Sequence, residues 1–376
     1  MKSKLFVVKV GTSSLTRNNG SLNVEAMDRI VGQIADAMKA GNRIVLVSSG
    51  AVASGIAELG IKPKPRDILF QQVSAATGQS ILMRYYRELF KPYGLKVAQI
   101  LLTQDDLSDR KSFVHTRDVL EMLLQIGVVP IINENDVTSI DELIPVMEGF
   151  RVNFSDNDVL SALIANAMEA DLLIVLSDVD GLFTMSPEKP EAELIPVVEE
   201  ITSELKNVAE KKSKLGRGGI KTKLQAAEIV TSSGIPMIFS NSNRKNVLMD
   251  IIAGKSVGTL FKPTGKMKNI KRWIAFGAST KGRITVNDGA KQAIIKDASL
   301  LSVGIVNVSG SFNVGDVVDL IDQNGTIFAR GIANYTSEET KLIKGKRSSK
   351  IEGILGYIRR KEIVSRKYMF IIEGDI

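Results

Sequence analysis

Runs of apolar residues recur through the first two thirds of the chain, and helical patterns alternate with them. The runs are rich in Val, Ile and Leu without polar alternation, which is typical of strands buried on both faces. They lie at residues 6–10, 43–47, 97–102, 128–132, 172–176 and 236–239. The helical patterns lie at 24–39, 159–167 and 224–230. This alternation predicts an α/β fold with a mainly parallel central sheet covered by helices.

The pattern changes after residue 262. Short β-like runs are now separated by Gly, Asn and Asp turns, and one helical segment lies among them. The runs lie at 283–286, 302–308, 317–321 and 326–333, and the helical segment lies at 288–296. Pro263 and Gly265 suit a linker between two domains. We therefore expect a larger domain at 1–262 and a small β-rich domain at 268–376.

Composition narrows the class of protein. The 376 residues contain no cysteine, which excludes disulfides and thiolate zinc sites and favours a reducing compartment. Charged residues interrupt the apolar run at the N-terminus, so this run does not resemble a secretory signal. No apolar stretch approaches the roughly 18 residues that a membrane-spanning helix needs. We expect a cytoplasmic protein that does not enter a membrane.

The positive charge is concentrated in the C-terminal third. Residues 1–261 contain 29 Lys and Arg against 31 Asp and Glu, whereas residues 262–376 contain 20 against 11. This excess is compatible with RNA or another polyanion as a partner of the C-terminal domain. A solvated basic surface without such a partner explains the same charge equally well.

Two turns at predicted strand ends have the composition of anion-binding sites. Lys9 lies in the first strand, and Gly11 after it leaves backbone N–H groups open to an anion. Ser49 and Gly50 follow the second strand and lead directly into a helical pattern of small residues. Ligands collect at the carboxyl ends of parallel strands, so both turns are candidate parts of one site. The alternatives are a lysine at an ordinary strand edge and a tight helix–strand contact.

Acidic and amide side chains follow later strands. Asp136 comes after the run at 128–132, and Asp156, Asn157 and Asp158 precede a helical pattern. Such groups can hold a cationic amino group and supply oxygen atoms around a metal-bound phosphate. Simple capping of a helix N-terminus is the alternative interpretation of the second cluster.

Two further segments suit a nucleotide. Ser177 and Asp178 follow the run at 172–176. The Asp-x-Asp-Gly pattern that begins at Asp178 is typical of a calcium loop, but the later ligand positions of such a loop are missing. The alternative is a turn at the edge of a nucleotide pocket. A glycine-rich loop flanked by lysines lies at 211–223 and opens a helix, an arrangement that suits a triphosphate. Its glycine spacing does not match a Walker A motif. The single histidine, His115, has no partner in the pattern, and we assign it no chemistry.

Taken in order, these motifs resemble those of the amino acid kinase family, and the second domain resembles a PUA module, an RNA-binding type. The first resemblance depends on VVKVGTS at 7–13, SSGA at 48–51, INEND at 132–136, DND at 156–158 and SDVDGLFT at 177–184. The second depends on KRWI at 271–274, GRITVNDGA at 282–290 and ILGY at 354–357. The resemblance covers essentially the whole chain. It implies an amino acid kinase-type sandwich at 1–262 and a PUA-like domain at 268–376.

The resemblance also implies a function, the ATP-dependent phosphorylation of the γ-carboxylate of L-glutamate to γ-glutamyl phosphate in proline biosynthesis. It implies ATP and Mg²⁺ as cofactors, proline as a feedback inhibitor, a reductase that uses the product, and a homo-oligomer. It places ATP contacts at Lys9, Ser177, Asp178, Arg217, Gly218, Gly219, Ile220, Lys221, Thr222 and Lys223. It places substrate contacts at Ser49, Gly50, Asp136 and Asn157.

Two features depart from the family pattern. The connection between Asp136 and Asp156 is longer than usual, and Ser155 replaces the usual glycine. In the glycine loop, Arg217 and Ile220 stand where Thr and Met are typical. The first departure concerns the substrate loop and sensitivity to proline, and the second concerns the loop that covers the phosphates.

The chemistry expected from the residues agrees with this function. A carboxylate substrate, with a pKa near about 4.3, is already ionised at neutral pH and needs no general base. Lys9 and Lys223 are the candidates for neutralising charge on the transferred phosphoryl group. We expect Asp156 to hold both lysines in place and Asp158 to help bind the substrate amine. The alternatives are a related kinase for another carboxylate, carbamate or nucleotide and an RNA-binding protein with a kinase-like scaffold.

Overall fold

The computed structural model describes most of the chain, and the described residues form two compact units. They are residues 3–17, 19–62, 67–103, 106–107, 110–138, 157–185, 187–202, 205–206, 219–264, 274 and 278–372. The first unit is built mainly from residues before 265, and the second mainly from residues after 277. Among the described residues we find no helix with the length and apolar character that crossing a bilayer requires.

A mainly parallel sheet forms the centre of the first unit. Its strands are β1 (Leu5–Val10), β2 (Arg43–Ser48), β3 (Lys96–Leu102), β4 (Val128–Glu134), β5 (Leu172–Ser177), β6 (Val197–Val198), β7 (Met237–Asn241) and β8 (Thr259–Phe261). They pair in the order β3-β4-β2-β1-β5-β7-β8-β6. All of these pairs are parallel except β7 with β8. The parallel sheet predicted from the apolar runs is therefore confirmed.

Helices connect and cover these strands. They are α1 (Thr12–Leu15), α2 (Val24–Lys39), α3 (Ala51–Leu59), α4 (Ile68–Phe90), α5 (Arg110–Gln125), α6 (Asn157–Ala167), α7 (Ile220–Thr231) and α8 (Val247–Ile252). Helix α2 has the predicted bounds. Its start is fixed by Asn23, whose side chain caps the helix by accepting a hydrogen bond from the N–H of Ala26. The apolar pattern does not predict α4, whose buried side includes the polar residues Gln71, Ser74 and Gln79.

Strand β1 lies at the centre of this sheet, between β2 and β5, and all of its residues are buried. Val8 and Val10 belong to the main apolar core together with Ile30 of α2. Because successive side chains on a strand point to opposite faces, Lys9 lies on the other face of the sheet. There it meets Asp158 of α6. The central strand therefore carries a charged residue that is buried where it meets α6.

The second unit is β-rich, as predicted. Its strands are β9 (Thr280–Val286), β10 (Leu300–Leu301), β11 (Ile305–Gly310), β12 (Val317–Ile321), β13 (Ile327–Ala333) and β14 (Glu362–Ile371). They pair in the order β10-β14-β13-β12-β9-β11. Its helices are α9 (Asp288–Ile295), α10 (Ser337–Ile343) and α11 (Ile351–Leu355). The run expected at 302–308 begins with a 3₁₀ turn at Ser302–Gly304, so β11 starts later than predicted.

Candidate active site

A cleft of about 550 Å³ opens at the carboxyl ends of β1, β2, β4 and β5. The two predicted turns, the polar segment after β4 and the start of α6 all reach it. Its lining residues are Lys9, Gly11, Thr12, Ser13, Ser49, Gly50, Ala51, Val52, Ala53, Ile56, Asn133, Glu134, Asp136, Asn157, Ser177, Asp178 and Lys223. Side chains from widely separated parts of the sequence therefore face one space, as expected for the open edge of a parallel sheet.

Two lysines and one aspartate form the most deeply buried charged group of the cleft. The Lys9 Nζ atom lies 2.5 Å from Asp158 Oδ1, and the Lys223 Nζ atom lies 3.0 Å from Asp158 Oδ2. The residues Lys9, Lys223 and Asp158 are 4%, 7% and 0% exposed. One carboxylate thus bridges two ammonium groups, and the three side chains carry a net charge of +1.

The protonation of Asp158 follows from these contacts. Burial alone raises the pKa of its carboxyl, but the charges of Lys9 and Lys223 and their hydrogen bonds outweigh burial. The pKa therefore falls from its usual 3.8 to about 2. Asp158 is ionised throughout the neutral range, and it orients both lysines toward the cleft that they line.

Helix α7 supplies Lys223 from its first turn, close to the backbone of Gly219. The neighbouring Thr222 hydroxyl donates to Asp158 Oδ2 at 3.0 Å. The Lys223 ammonium also lies 5.6 Å from the centre of the Phe239 ring, within the range of a cation–π contact. These contacts hold the first turn of α7 against the first turn of α6.

The structure changes the expectation for the aspartates. The bridging position that we predicted for Asp156 is occupied by Asp158, and both oxygens of Asp158 face the lysines. A direct contact of Asp158 with a substrate amine, which we also predicted, does not fit this orientation. Asp156 itself, together with Ser155, lies outside the described residues.

The turn after β2 brings Ser49 and Gly50 to the cleft. The N–H of Ser49 donates to the carbonyl of Val10 at 3.2 Å, which ties this turn to the turn after β1. Gly50 has a φ of 104°, a left-handed conformation that favours glycine, and it directly precedes α3 as its N-terminal cap. The first backbone N–H groups of a helix have no partners within the helix, so this turn is a suitable place for an anionic group.

Side-chain amides link this turn to α6 and β4. The Asn157 Nδ2 group donates to Ser49 Oγ and to Asn133 Oδ1, both at 2.9 Å. Asn133 in turn donates to Gln79 Oε1 of α4 at 2.9 Å. The sequence indicated Asn157 but not Gln79. Gln79 becomes recognisable as a candidate only when α4 is known, because a polar side chain on the buried side of a helix needs a hydrogen-bond partner.

Ser177 and Asp178, for which we predicted contacts with a nucleotide, lie at the end of β5 at the edge of the cleft. Ser177 donates to Asp178 Oδ1 at 2.9 Å, and both residues line the cleft. A second cavity of about 420 Å³ lies beside it. Its lining includes Asp180 and Asn241, and the Asn241 side chain donates to Asp180 Oδ1 at 2.9 Å. Asp180 and Asn241 of the second cavity lie close in sequence to the ends of β5 and β7.

The glycine loop is described only in part. Gly219, Ile220, Lys221, Thr222 and Lys223 are placed at the start of α7, and of these only Lys223 lines the cleft. Arg217 and Gly218 lie outside the described residues. Within the part of the chain that is described, no group of three or more His, Asp or Glu side chains is arranged to hold a metal ion.

Comparisons with known proteins match the two parts of the chain to two families. The sequence pattern of the amino acid kinase family matches residues 4–241, and that of the PUA domain matches residues 282–355. The likeness therefore extends over both units.

Curated relatives are similar over nearly the whole chain. A glutamate 5-kinase from Thermoanaerobacter sp. (strain X514) is 44% identical over 98% of this chain and 98% of its own length. A glutamate 5-kinase from Methanosarcina barkeri is 44% identical over 98% of this chain and 97% of its own length. The solved structure of UMP kinase from Bacillus anthracis has a TM-score of 0.47 and 18% identity, covering 69% of this chain and 96% of that chain.

Proposed function

Given that the chain belongs to the amino acid kinase family, we propose that it catalyses the reaction of its glutamate 5-kinase relatives. The γ-phosphoryl group of ATP is transferred to the γ-carboxylate of L-glutamate, which yields ADP and γ-glutamyl phosphate. The observation that carries this proposal is the pair of buried lysines bridged by Asp158 at the floor of the cleft. The reaction is the first step of proline biosynthesis.

The chemistry requires charge stabilisation rather than proton abstraction. The γ-carboxylate is ionised at neutral pH and attacks the phosphorus atom without a base. During transfer, negative charge is redistributed over the oxygens of the phosphoryl group and the leaving ADP. Lys9 and Lys223 stabilise that charge, and Asp158 keeps their ammonium groups in place. Because the net charge of the three side chains is positive, their interaction with a phosphoryl group is attractive.

The remaining cleft residues bind the two substrates. Ser49 and Gly50 hold a carboxylate of glutamate at the start of α3. Asp136 accepts hydrogen bonds from the ammonium group of the same glutamate. Asn157 keeps the Ser49 turn in position and contacts glutamate. These roles are supported by the presence of all four residues in the lining of the same cleft.

The nucleotide lies along the ends of β5 and β7. Ser177 and Asp178 contact it between the two cavities, and the glycine loop from Arg217 to Lys223 covers its phosphates. Mg²⁺ would be bound by the phosphate oxygens of ATP, where it would neutralise part of their charge. The ATP requirement follows from membership of a kinase family, and the role of Mg²⁺ is part of this proposal.

The biological setting completes the proposal. An acyl phosphate hydrolyses readily, so a reductase that takes up γ-glutamyl phosphate is a suitable partner in the cytoplasm. Proline, as the end product of that route, is a feedback inhibitor, and the enzyme forms a homo-oligomer.

The catalytic domain extends over residues 1–262, and the PUA-like domain at 268–376 binds RNA through its basic surface.

A coupled assay of ADP release tests the function. We expect Mg²⁺- and ATP-dependent activity with L-glutamate, and much lower activity with aspartate, N-acetylglutamate or UMP. Hydroxylamine should trap the product as a hydroxamate, because it attacks acyl phosphates. Preference for one of the other acceptors would identify a related kinase instead. A product that hydroxylamine does not trap would exclude transfer to a carboxylate.

A further inference from the structure

Gln79 is a buried polar residue that the proposed chemistry does not use. It lies on α4, is 8% exposed, and does not line the cleft. A buried amide is tolerated when its polar atoms are hydrogen-bonded, and Gln79 Oε1 accepts a hydrogen bond from Asn133 Nδ2 at 2.9 Å. Asn133 is itself 3% exposed and lies at the end of β4. Gln79 therefore reaches the cleft only through its partner Asn133, which lines it.

Close packing of α4 on α3 places Gln79 at this point. A Cβ atom on Gly78 would lie 1.9 Å from the carbonyl oxygen of Ala51, so the backbones of the two helices are in direct contact. Ala51 is the first residue of α3 and lines the cleft. Helix α4 therefore lies directly behind the turn that begins α3, and Gln79 extends from it toward the end of β4.

Backbone groups determine the direction of the amides. Asn133 Oδ1 accepts a hydrogen bond from the N–H of Glu134 at 2.9 Å, so this atom must be the oxygen. The Asn133 amide nitrogen then points to Gln79, which supplies the acceptor that it needs. Asn133 Oδ1 also accepts from Asn157 Nδ2 at 2.9 Å. Gln79 and Glu134 thus hold the two ends of the Asn133 amide.

The Asn157 amide is oriented by its acceptors and contacts Ser49. Asn157 Nδ2 donates to Ser49 Oγ at 2.9 Å and points toward the carbonyl of Ser48 at 3.4 Å, which again fixes it as the nitrogen. The Ser49 oxygen is therefore occupied as an acceptor, and its hydroxyl hydrogen can be donated elsewhere. Ser49 lines the cleft and is only partly buried. A substrate oxygen in the cleft is the acceptor that this hydroxyl suits.

We propose that Gln79 is a positioning residue for the acceptor substrate. It acts through Asn133 and Asn157 to hold the Ser49 hydroxyl as a hydrogen-bond donor to a carboxylate oxygen in the cleft. This proposal rests on the proposed function, because it takes the carboxylate to be that of glutamate. Without Oε1 of Gln79, the Asn133 amide loses its buried acceptor and turns away. Asn157 then loses the Asn133 oxygen as a partner, and it directs the Ser49 hydroxyl less firmly.

Steady-state kinetics of the full chain test the proposal. Gln79→Met keeps the length of the side chain and removes the acceptor, which leaves the buried Asn133 amide unsatisfied, and we expect the glutamate KM to rise about tenfold. The kcat and the ATP KM should stay within about twofold, because the lysines are untouched.

Gln33→Met is the matched control. Gln33 is also 8% exposed, and its Oε1 accepts from the N–H of Leu248, but it does not line the cleft. Both Met variants should lower the melting temperature, and only Gln79→Met should raise the glutamate KM. An equal rise in KM in both variants would mean that Gln79 has a structural role only. If Gln79→Met does not fold, Gln79→Asn withdraws the same acceptor by one methylene group.

A double-mutant cycle tests the path through Ser49. If Gln79 acts by directing the Ser49 hydroxyl, Gln79→Met should add little to the KM of Ser49→Ala. Independent effects that multiply in the double variant would overturn the proposal. Absence of glutamate-dependent ADP release in the unmodified chain would instead contradict the proposed function. An active unmodified chain with an unchanged KM in Gln79→Met would contradict only the role of Gln79.

Discussion

The Lys9 ammonium and the Asp158 carboxylate are 2.5 Å apart in a site that solvent barely reaches. Their pairing explains how a charged lysine is tolerated on the central strand of the sheet, since an unpaired buried charge is costly. The second oxygen of Asp158 pairs with Lys223. Since one negative charge faces two positive charges, the pairing leaves an attraction for an anion. The same arrangement therefore stabilises the fold and, in the proposed function, attracts the phosphoryl group.

Removal of either lysine should affect the chemical step more than substrate binding. We expect Lys9→Ala and Lys223→Ala to lower kcat by about 10²–10³-fold, the range for losing one group that stabilises transition-state charge. The glutamate KM should change far less, and steady-state kinetics would measure both. Lys255→Ala is the control, because Lys255 pairs with Asp250 outside the cleft. A lysine whose removal leaves kcat near the original value would have no catalytic role.

Replacement of Asp158 should destabilise the protein in a pH-dependent way. Asp158→Asn leaves two buried ammonium groups without their carboxylate, and we expect a loss of about 3–5 kcal/mol in the free energy of unfolding at pH 7. Since folding lowers the pKa of Asp158 from 3.8 to about 2, its contribution is complete above the first value and is lost as pH falls toward the second. Urea unfolding at several pH values would measure the difference between the two proteins.

The control for this series is Glu199→Gln. Glu199 pairs with Lys262 at 2.7 Å, but both side chains are largely exposed, so we expect a change below about 1 kcal/mol. A difference between the original protein and Asp158→Asn that stays constant down to pH 2 would contradict the assigned pKa.

A methyl group on Gly78 should disturb the cleft from behind. In Gly78→Ala the new Cβ atom would meet the backbone of Ala51, which cannot move aside as a side chain can. We expect a loss of about 1–3 kcal/mol in stability from overpacking. Because α3 must shift, the glutamate KM should also rise, and kinetics with thermal melting would show both effects. Gly353→Ala, where no atom lies within 4 Å of the new Cβ, should change neither. Normal stability and KM in Gly78→Ala would argue against the rigid contact.

Truncation near residue 266 should leave an active kinase. All residues that line the two cavities precede residue 262, and the predicted linker follows it. We expect the shortened chain to fold and to retain glutamate-dependent ADP release. Circular dichroism and the coupled assay would measure these properties. A truncated chain that is soluble but inactive would show that the division at 262 is wrong.

The isolated C-terminal domain, residues 268–376, should bind structured RNA. Residues 268–376 contain 18 Lys and Arg against 11 Asp and Glu, an excess that favours phosphate contacts. Binding to bulk transfer RNA should weaken steeply as salt rises from about 50 to 200 mM, because counterions are released on binding. Filter binding at a series of salt concentrations would measure this slope. Weak binding without salt dependence would contradict an RNA role and favour a regulatory one.

Much of the first unit could be predicted from the sequence, but α4 could not. Strands such as β1 and β5 are continuous apolar runs, because both of their faces are covered, and such runs are visible without knowledge of the fold. Helix α4 carries Gln71, Ser74 and Gln79 on its buried side, which interrupts the apolar period. Those polar residues are explained only by their partners, and Asn133, the partner of Gln79, is 54 positions away in the sequence.

The sequence also does not predict which of the two aspartates contacts the lysines. The sequence indicates a cluster around Asp156 and Asp158 at the start of a helix. Near the start of a helix, each residue turns the side-chain direction by about 100° around the axis. A pattern of acidic residues therefore does not show which carboxylate faces Lys9. The structure places Asp158 there, and Asp156 lies outside the described residues.

By itself, the sequence determined which segments become strands and which turns at their ends line the cleft. Local backbone preference and the burial of apolar runs depend mainly on neighbouring residues, so both are visible along the chain. Only the tertiary structure decided that Asp158 bridges Lys9 and Lys223, and that Gln79 lies behind Ser49. These contacts join residues far apart in sequence. Their geometry depends on how parallel strands and helices pack, because a hydrogen bond requires its two atoms to be within about 3 Å of each other.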